Sequence, residues 1–323
     1  ANKARGDFLA TMTHELRTPL IGIIGMARLL KTTPLDTEQQ DYLHSIKSSA
    51  HLLRALIGDI LDFSKIDANK LEFESAPFDI RDLVRNVVST LATQSQEKHV
   101  ELICRVDARV PRELVGDGLR VSQILYNLMG NAIKFTDQGE VVLRLSVQPA
   151  DARLEVPHIL MEVADTGIGI PAEKLDKIFD MFWQADGTTS RRFCGTGLGT
   201  TVARDLSRLM GGRIDVRSQV DQGTTFSVRL PLLPEKGGNL DVKPPQLAGK
   251  RILIFETNST SMEVHIDAAA ELGMEVVAAA SLAAFDAVSD GEFDLLLLCD
   301  ALVGAPLKQL LDRLDLFIVK RTP

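Results

Sequence analysis

The residues best equipped for chemistry fall in four short clusters. The first is His14-Glu15-Leu16-Arg17-Thr18-Pro19. On a helix His14 and Thr18 stand four residues apart and share a face. Met12, Leu16, Pro19 and Ile23 point elsewhere, into an apolar seam, so His14 faces solvent with Glu15 beside it. A neutral imidazole nitrogen is a competent nucleophile near pH 7. A neighbouring carboxylate can hold the other ring proton, fix the tautomer and stabilise the developing imidazolium. Pro19 lacks an N–H and clashes with the carbonyl of Glu15, which bends the helix one turn after His14. Taken alone, such a histidine is more often an inert surface residue.

The second cluster runs from Asn127 to Phe135. Asn127, Asn131 and Lys134 lie on one helical face, spaced by four and three residues. Two amides and an ammonium on an otherwise apolar helix suit a magnesium–phosphate group: amide oxygens can ligate Mg²⁺ and the ammonium can neutralise phosphate. The alternative is a plain solvated face, which the flanking Leu128, Ile133 and Phe135 disfavour. The third cluster, Asp165-Thr166-Gly167-Ile168-Gly169, follows a strand-like run. A carboxylate at a strand end can accept a hydrogen bond from an exocyclic amine such as that of adenine, and the glycines let backbone approach a ligand. The fourth, Gly195-Thr196-Gly197-Leu198-Gly199, opens a helix, with Arg191 and Arg192 just upstream. Such loops offer free N–H groups to phosphate. This one is neither a Walker loop nor a dinucleotide fingerprint, since no strand directly precedes it and no Gly-Lys-Ser/Thr follows. Each glycine cluster alone is often just a turn.

The elements that must position these residues can be read from periodicity. Phe8, Met12, Leu16, Leu20, Ile23, Ile24 and Leu30, then Leu43, Ile46, Ala50, Leu53, Ile57 and Leu61, recur at helical spacing on either side of a turn at Lys31–Asp36. Asp36 or Thr37 can cap the second helix. One hairpin leaves an apolar stripe uncovered, and pairing two hairpins covers it. From about Phe78 to Leu233 helices at Ile80–Gln96 and Leu119–Phe135 mix with strands at Val100–Val106, Val141–Val147, Ile159–Ala164, Arg213–Arg217 and Thr225–Leu230. That mixture suggests an α+β layer. A Pro/Gly-rich linker follows. Beyond it Arg251–Phe255, Glu275–Ala279 and Leu295–Leu298 alternate with helices at Ser261–Leu272 and Leu282–Ser289, as parallel βαβ units do.

Composition narrows the class. With 45% apolar and 25% charged residues the chain is of ordinary globular type. The net charge of −8 argues against a nucleic-acid surface. Cys104, Cys194 and Cys299 are too far apart for a metal or redox motif, which suits a reducing, cytosolic setting. Apolar runs such as Leu295–Leu298 are of strand length, far below the roughly 18 residues that span a bilayer. The chain starts at Ala1 without a Met, so we expect a fragment.

In order along the chain, the His14, Asn127–Lys134, Asp165–Gly169, Phe179-Asp180-Met181-Phe182 and Gly195–Gly199 segments resemble the H, N, G1, F and G2 boxes of sensor histidine kinases, over about residues 1–233. The run Trp183–Arg192 is similar to that of hybrid kinases in particular. The resemblance implies a multidomain chain. Its parts are an all-α helical hairpin forming a dimeric four-helix bundle (1–76), an α+β two-layer GHKL ATPase sandwich (77–234), a linker (235–248) and a partial α/β, flavodoxin-like receiver-type domain (249–323). It implies ATP and Mg²⁺ as cofactors. His14 would be the phosphoacceptor, Glu15 its base, and Thr18 the residue that positions water in dephosphorylation. Asn127 and Asn131 would handle Mg²⁺ and Lys134 the phosphates. Asp165 would bind the adenine amine, with Gly167 and Gly169 lining the pocket. Phe182, Arg191, Arg192, Gly195, Thr196, Gly197, Leu198, Gly199 and Thr225 would complete the nucleotide site, under a lid from about Asp186 to Cys194. The implied partners are a second copy, through the N-terminal helices, and a response regulator or receiver domain, with no nucleic acid. The sensing region would lie upstream, making this the cytoplasmic portion of a membrane-anchored protein.

Three positions depart from the family pattern: Cys194 and Asp221 stand where glycine is common, Thr200 where leucine is. The C-terminal unit departs further. Glu256 and Thr257 fill the acidic-pair positions of a receiver, Cys299 falls at the phosphoacceptor position, and Asp300 comes one residue late, aimed the other way along a strand. It therefore reads as a truncated or degenerate receiver with a structural or regulatory role. Other readings are a nucleotide-binding pseudokinase scaffold and a chaperone- or topoisomerase-like ATPase. Intact His14, Asn131, Lys134 and Asp165 favour an active kinase over the first, and the His14 hairpin argues against the second.

Overall fold

The computed structural model of the protein describes residues 19–36, 38–40, 42–43, 46, 50, 53, 58, 71–149, 157–181, 183, 197–235, 246–288 and 291–298. A helix covers 19–30. Leu20, Ile24 and Ala27, at i, i+4 and i+7, are buried, and the first two pack on Ala50 of the second helical segment. The hydroxyls of Thr32 and Thr33 donate to Leu29 O and Leu30 O, both at 2.7 Å, where the first helix ends. Asp36 makes the next cap: its Oδ1 accepts from Gln39 N at 2.8 Å while Gln39 Oε1 accepts from Asp36 N at 3.2 Å. This reciprocal capping box satisfies two backbone donors.

The central unit comprises β1 (Ala76–Asp79), α1 (Ile80–Glu97), β2 (Val100–Val106), β3 (Glu113–Gly116), α2 (Gly118–Phe135), β4 (Gly139–Gln148), β5 (His158–Asp165), α3 (Gly199–Leu209), β6 (Arg213–Gln219), β7 (Gly223–Leu230) and β8 (Leu233–Pro234). Five strands form one sheet in the order β2-β4-β5-β7-β6. The β2–β4 pair is parallel and the other pairs are antiparallel. Alternate residues of the strands (Val141, Leu143 and Leu145; Ile159, Met161 and Val163; Phe226, Val228 and Leu230) share one core with α1, α2 and α3. This is the expected two-layer α+β arrangement. A small antiparallel sheet, β1-β3-β8, joins the start of the unit to its end. Sequence periodicity missed these three strands because each is only two to four residues long. Leu71 and Phe73, upstream of β1, also pack on the main core.

The helix α2 runs through the middle of the layer. Val121, Ile124, Leu125, Leu128, Met129, Ala132 and Ile133 are all buried. Asp117 caps its start: Oδ1 accepts from Arg120 N at 3.0 Å, and Oδ2 accepts from Glu74 N at 3.2 Å, tying the incoming chain to the helix. The turn between β6 and β7 holds Asp221 at φ +60°, where its N–H donates to Ile168 O at 2.9 Å. A left-handed φ explains why a glycine is at home at this position.

The third unit holds β9 (Arg251–Phe255), α4 (Ser259–Glu271), β10 (Glu275–Ala279), α5 (Leu282–Val288) and β11 (Leu295–Leu298). Its strands are parallel, in the order β10-β9-β11. Leu253 and Phe255 pack with Phe285 of α5, whereas Ile254 packs with Met262 and Ala269 of α4. The two helices therefore cover opposite faces, as right-handed parallel crossovers require. Cys299 and Asp300 lie outside the described residues.

Replacing Asp117 by Ala should cost about 1–2 kcal/mol, the usual worth of a helix N-cap. Chemical denaturation should register this, while exposed Asp82→Ala changes stability by no more than about 0.5 kcal/mol.

Candidate active site

Asn127, Asn131 and Lys134 project from α2 at the edge of its buried stripe, each partly buried. The Nδ2 of Asn127 is buried and, among the described residues, has no hydrogen-bond partner. A buried donor left unpaired is costly unless a ligand completes it. Asn127 lies beneath the start of α3: a Cβ built on Gly199 would meet the Asn127 side chain at 3.6 Å. Leu198, the residue before that helix, contributes no side-chain cap hydrogen bond. The first amides of the helix and the orphaned Asn127 amide thus face the same small region, a donor set suited to phosphate oxygens. Among the described residues no group of three or more His, Cys, Asp and Glu could hold a metal ion. A divalent cation here would depend on amide and phosphate oxygens. The Asn127 and Asn131 amides fit that requirement.

The last turn of α2 is closed almost completely. Ala132 O accepts from Thr136 N at 3.1 Å and from Thr136 Oγ1 at 2.8 Å. Lys98 Nζ donates to Ile133 O, Lys134 O and Thr136 O at 2.9, 2.7 and 2.7 Å. Phe135 O accepts from Ile168 N at 3.3 Å. The ammonium sits where the helix dipole is negative, which favours it. Through Ile168 the same helix end fixes the glycine turn after Asp165. Sequence reading missed Lys98, whose partners lie 35 to 38 residues away. No local signal marks it.

Asp165 ends β5 on the core-side face, opposite Val141 and Thr224. Its Oδ1 accepts from Gly167 N at 2.9 Å and Thr224 N at 3.2 Å. Burial pushes the Asp165 carboxyl above the ordinary aspartate value, and those two backbone donors pull it partly back. Gly167 is required by space, since a Cβ there would lie 2.4 Å from Phe135 O. Gly169 has φ +68° and no room for a side chain against Gln219 O.

The register corrects one expectation. Phe226, Val228 and Leu230 face the core, so Thr224 shares the face of Asp165 and Thr225 points to the opposite side. Thr224, not Thr225, therefore stands beside Asp165. It also shares a 2.9 Å hydrogen bond with Ser218 Oγ. At the other end, Thr200 Oγ1 donates to Ile178 O at 2.6 Å and Thr201 Oγ1 to Phe179 O at 3.0 Å. The departure at Thr200 thus supplies a hydroxyl that ties α3 to the Phe179 segment. Phe179 in turn packs edge-on against Phe226, with Arg204 over its ring at 5.7 Å.

Asn127, midway along α2, thus lies against Gly199 at the start of α3, and the turn after Asp165 packs on the last turn of the same helix at Phe135 O. His14, Glu15, Thr18, Phe182, Arg191, Arg192, Cys194, Gly195 and Thr196 lie outside the described residues.

Comparison with known proteins matches residues 4–69 to the His Kinase A (phospho-acceptor) domain and residues 116–234 to the histidine kinase-, DNA gyrase B- and HSP90-like ATPase. The chain belongs to the sensor histidine kinases. It is 40% identical over 306 residues to the signal transduction histidine-protein kinase BarA of Escherichia coli K12, covering 92% of this chain and 32% of that protein. It is 37% identical to the autoinducer 2 sensor kinase/phosphatase LuxQ of Vibrio parahaemolyticus, over 92% of this chain and 35% of the relative. Among solved structures, full-length ShkA in complex with AMPPNP superposes with a TM-score of 0.72 at 33% identity, covering 92% of this chain and 60% of that one. The chain spans about a third of the length of curated relatives such as BarA. Its ATPase domain belongs to an ATP-binding family, and its HisKA domain to one that dimerises and hands phosphate to a receiver partner. Among the described residues no helix is long and apolar enough to cross a membrane.

Asp165→Asn should lower adenine-nucleotide affinity by at least roughly tenfold, as expected for losing a hydrogen bond to a charged group. Calorimetric titration with ADP measures this. The ionised carboxylate is the acceptor, so in the unsubstituted protein affinity should fall as pH drops through the raised Asp165 pKa; the variant should lack that acid limb. Lys98→Met should leave three carbonyls short of a donor. We expect a loss of about 1–3 kcal/mol in stability, seen by denaturant unfolding, and weaker ADP binding.

Proposed function

We propose that this segment is the catalytic core of a hybrid sensor kinase, in which His14 takes the γ-phosphoryl group of ATP and passes it to an aspartate of a response regulator or receiver domain. The observation that carries the reading is that one helix, α2, packs at Asn127 against the helix start at Gly199 and at its last turn against the turn that follows Asp165, in a chain whose residues 4–69 match the phosphoacceptor family.

In this reading Asp165 Oδ2 accepts from the adenine amine, and the α3 amides with Asn127 receive the phosphates. Lys134 adds positive charge at the same end. A divalent cation held by Asn127 and Asn131 would neutralise charge on the phosphates. His14 attacks as the neutral imidazole, with Glu15 holding its other ring proton. Arg191, Arg192, Gly195, Thr196 and Phe182 are assigned to nucleotide binding by the family resemblance. Phosphoryl transfer asks for position and charge rather than covalent help from the protein, which suits a pocket built mainly of donors. The likeness to ShkA, whose solved complex holds AMPPNP, supports the nucleotide assignment.

A second copy completes the hairpin. Ile23, Met26 and Leu30, at i, i+3 and i+7 of the first helix, are 48%, 64% and 49% exposed. Such a stripe fits the seam of a four-helix bundle. Thr18, one turn after His14, is the residue we assign to positioning water in the reverse reaction; the kinase/phosphatase LuxQ supports the presence of that activity. We read the third unit as a degenerate receiver. Its order of parallel strands and helices supports this. The buried Glu256 carboxylate is engaged by Asn258 N at 3.0 Å, so it serves the start of α4. The sensing region belongs to the remainder of the protein, with this segment on the cytoplasmic side.

With γ-labelled ATP and Mg²⁺, the protein should acquire acid-labile, base-stable label, and His14→Gln should acquire none. Label surviving in that variant would remove His14 as acceptor.

A further inference from the structure

We propose that the C-terminal unit is a clamp on the nucleotide site: α4 docks on the outer face of β2 and β4 and, through Glu140, holds the Asp165–Gly167 turn in its ligand-accepting shape. The inference rests on the nucleotide reading of the Asp165 pocket.

The docking surface is built rather than incidental. Residues 101, 103 and 105 of β2 and 140 and 142 of β4 alternate away from the main core. Ile103 and Val142 pair across the two strands on that outer face, yet they are only 5% and 3% exposed. A bare sheet face would leave such a pair wet. Polar contacts ring it. At one end Asn258 Nδ2 donates to Glu101 Oε2 at 2.7 Å and Glu140 Oε2 at 2.8 Å, and Thr260 Oγ1 donates to Glu140 Oε1 at 2.7 Å. At the other end Asp267 of α4 pairs with Arg105. Four residues of strand and seven of helix separate the two contacts, lengths of about 13 Å and 10 Å, so α4 lies along β2.

Glu140 joins this surface to the pocket. Its side chain is held by both α4 donors, while its backbone is bonded to Thr166. Glu140 N donates to Thr166 Oγ1 at 3.0 Å, and Thr166 N donates to Glu140 O at 3.2 Å. Thr166 lies between Asp165 and Gly167, the residues that set the adenine acceptor. A docked α4 fixes Glu140, which fixes Thr166, and the turn is ordered before the ligand arrives. Preorganisation of this kind raises affinity by removing an ordering cost. By linkage, bound nucleotide must strengthen docking by the same factor.

Asn258 is the sensitive point. Its amide bridges two carboxylates, with Glu256 close by. Burial, followed by the charge of Glu256, pushes the Glu101 carboxyl above the ordinary glutamate value, and Glu140 adds to the rise. Asn258 also caps α4, Oδ1 accepting from Ser261 N at 2.9 Å. Asn258→Asp keeps that cap, since aspartate caps as well as asparagine. It also turns the bridge into a repulsive contact among carboxylates.

The test uses the full chain. Amide hydrogen exchange reports docking, and calorimetric titration with ADP reports the pocket. In Asn258→Asp, exchange should speed up in β2, in α4 and at Thr166 and Gly167, and ADP affinity should fall roughly five- to tenfold. Thr260→Val, which removes one bond, should produce the same changes to a smaller extent. Saturating ADP should slow exchange in α4 of the unsubstituted protein. Faster exchange in α4 and β2 with unchanged ADP affinity would overturn the coupling. Unchanged exchange in Asn258→Asp would overturn the bridge itself. Failure of the unsubstituted protein to bind ADP would overturn the pocket reading and the clamp with it, an outcome separable from the others because no variant is needed to see it.

Discussion

The carbonyls that end a helix must find partners, and the last turn of α2 is where most of the site is decided. Thr136 takes Ala132 O, Lys98 takes Ile133 O and Lys134 O, and Ile168 takes Phe135 O. These bonds come from three separate stretches of chain. They bring together the helix that carries the asparagines, the end of α1 and the glycine turn after Asp165. Gly167 is small because Phe135 O needs that space. If the helix end frayed, the two amides would lose their direction and the turn after Asp165 its support. An interior this densely packed transmits such a shift rather than absorbing it.

The five-stranded sheet divides the work between its faces. The inner face supplies the core and, at the end of β5, Asp165. The outer face near β2 and β4 is apolar at Ile103 and Val142 and acidic at Glu101 and Glu140. An edge strand with such a face invites pairing with another surface. In this chain the occupant is α4. A unit without obvious phosphate chemistry of its own can still matter through the surface it covers, and the connection to the pocket here is two residues long, Glu140 and Thr166.

The departures from the family pattern have local reasons. Thr200 supplies a hydroxyl bond to Ile178 O where leucine would supply only packing. Asp221 occupies a left-handed φ that glycine takes without strain, and its N–H is used by Ile168 O. Both lie where the segments that frame the pocket are held, and neither replaces a group that touches the ligand in the proposed reading.

Much of this molecule could be read from the chain alone. Helical periodicity located α1 and α2 to within a residue, because both bury a continuous apolar stripe. Alternation located the sheet strands, and the parallel order of the third unit followed from strands and helices taking turns. The clusters around Asn127, Asp165 and Gly199 were legible because helical spacing and glycine are local signals. The short strands β1, β3 and β8 were not, since so few residues carry no periodicity. Lys98 and Asn258 were invisible for a different reason. A lysine that closes a helix 35 residues away, or an asparagine whose partners lie 118 and 157 residues off, is chosen by tertiary packing alone. The sequence determined which groups are present and which elements carry them. The tertiary structure decided that Asn127 lies against Gly199, that Thr224 rather than Thr225 stands beside Asp165, and that α4 covers the outer face of the sheet, because each of these depends on register and on contacts between distant segments.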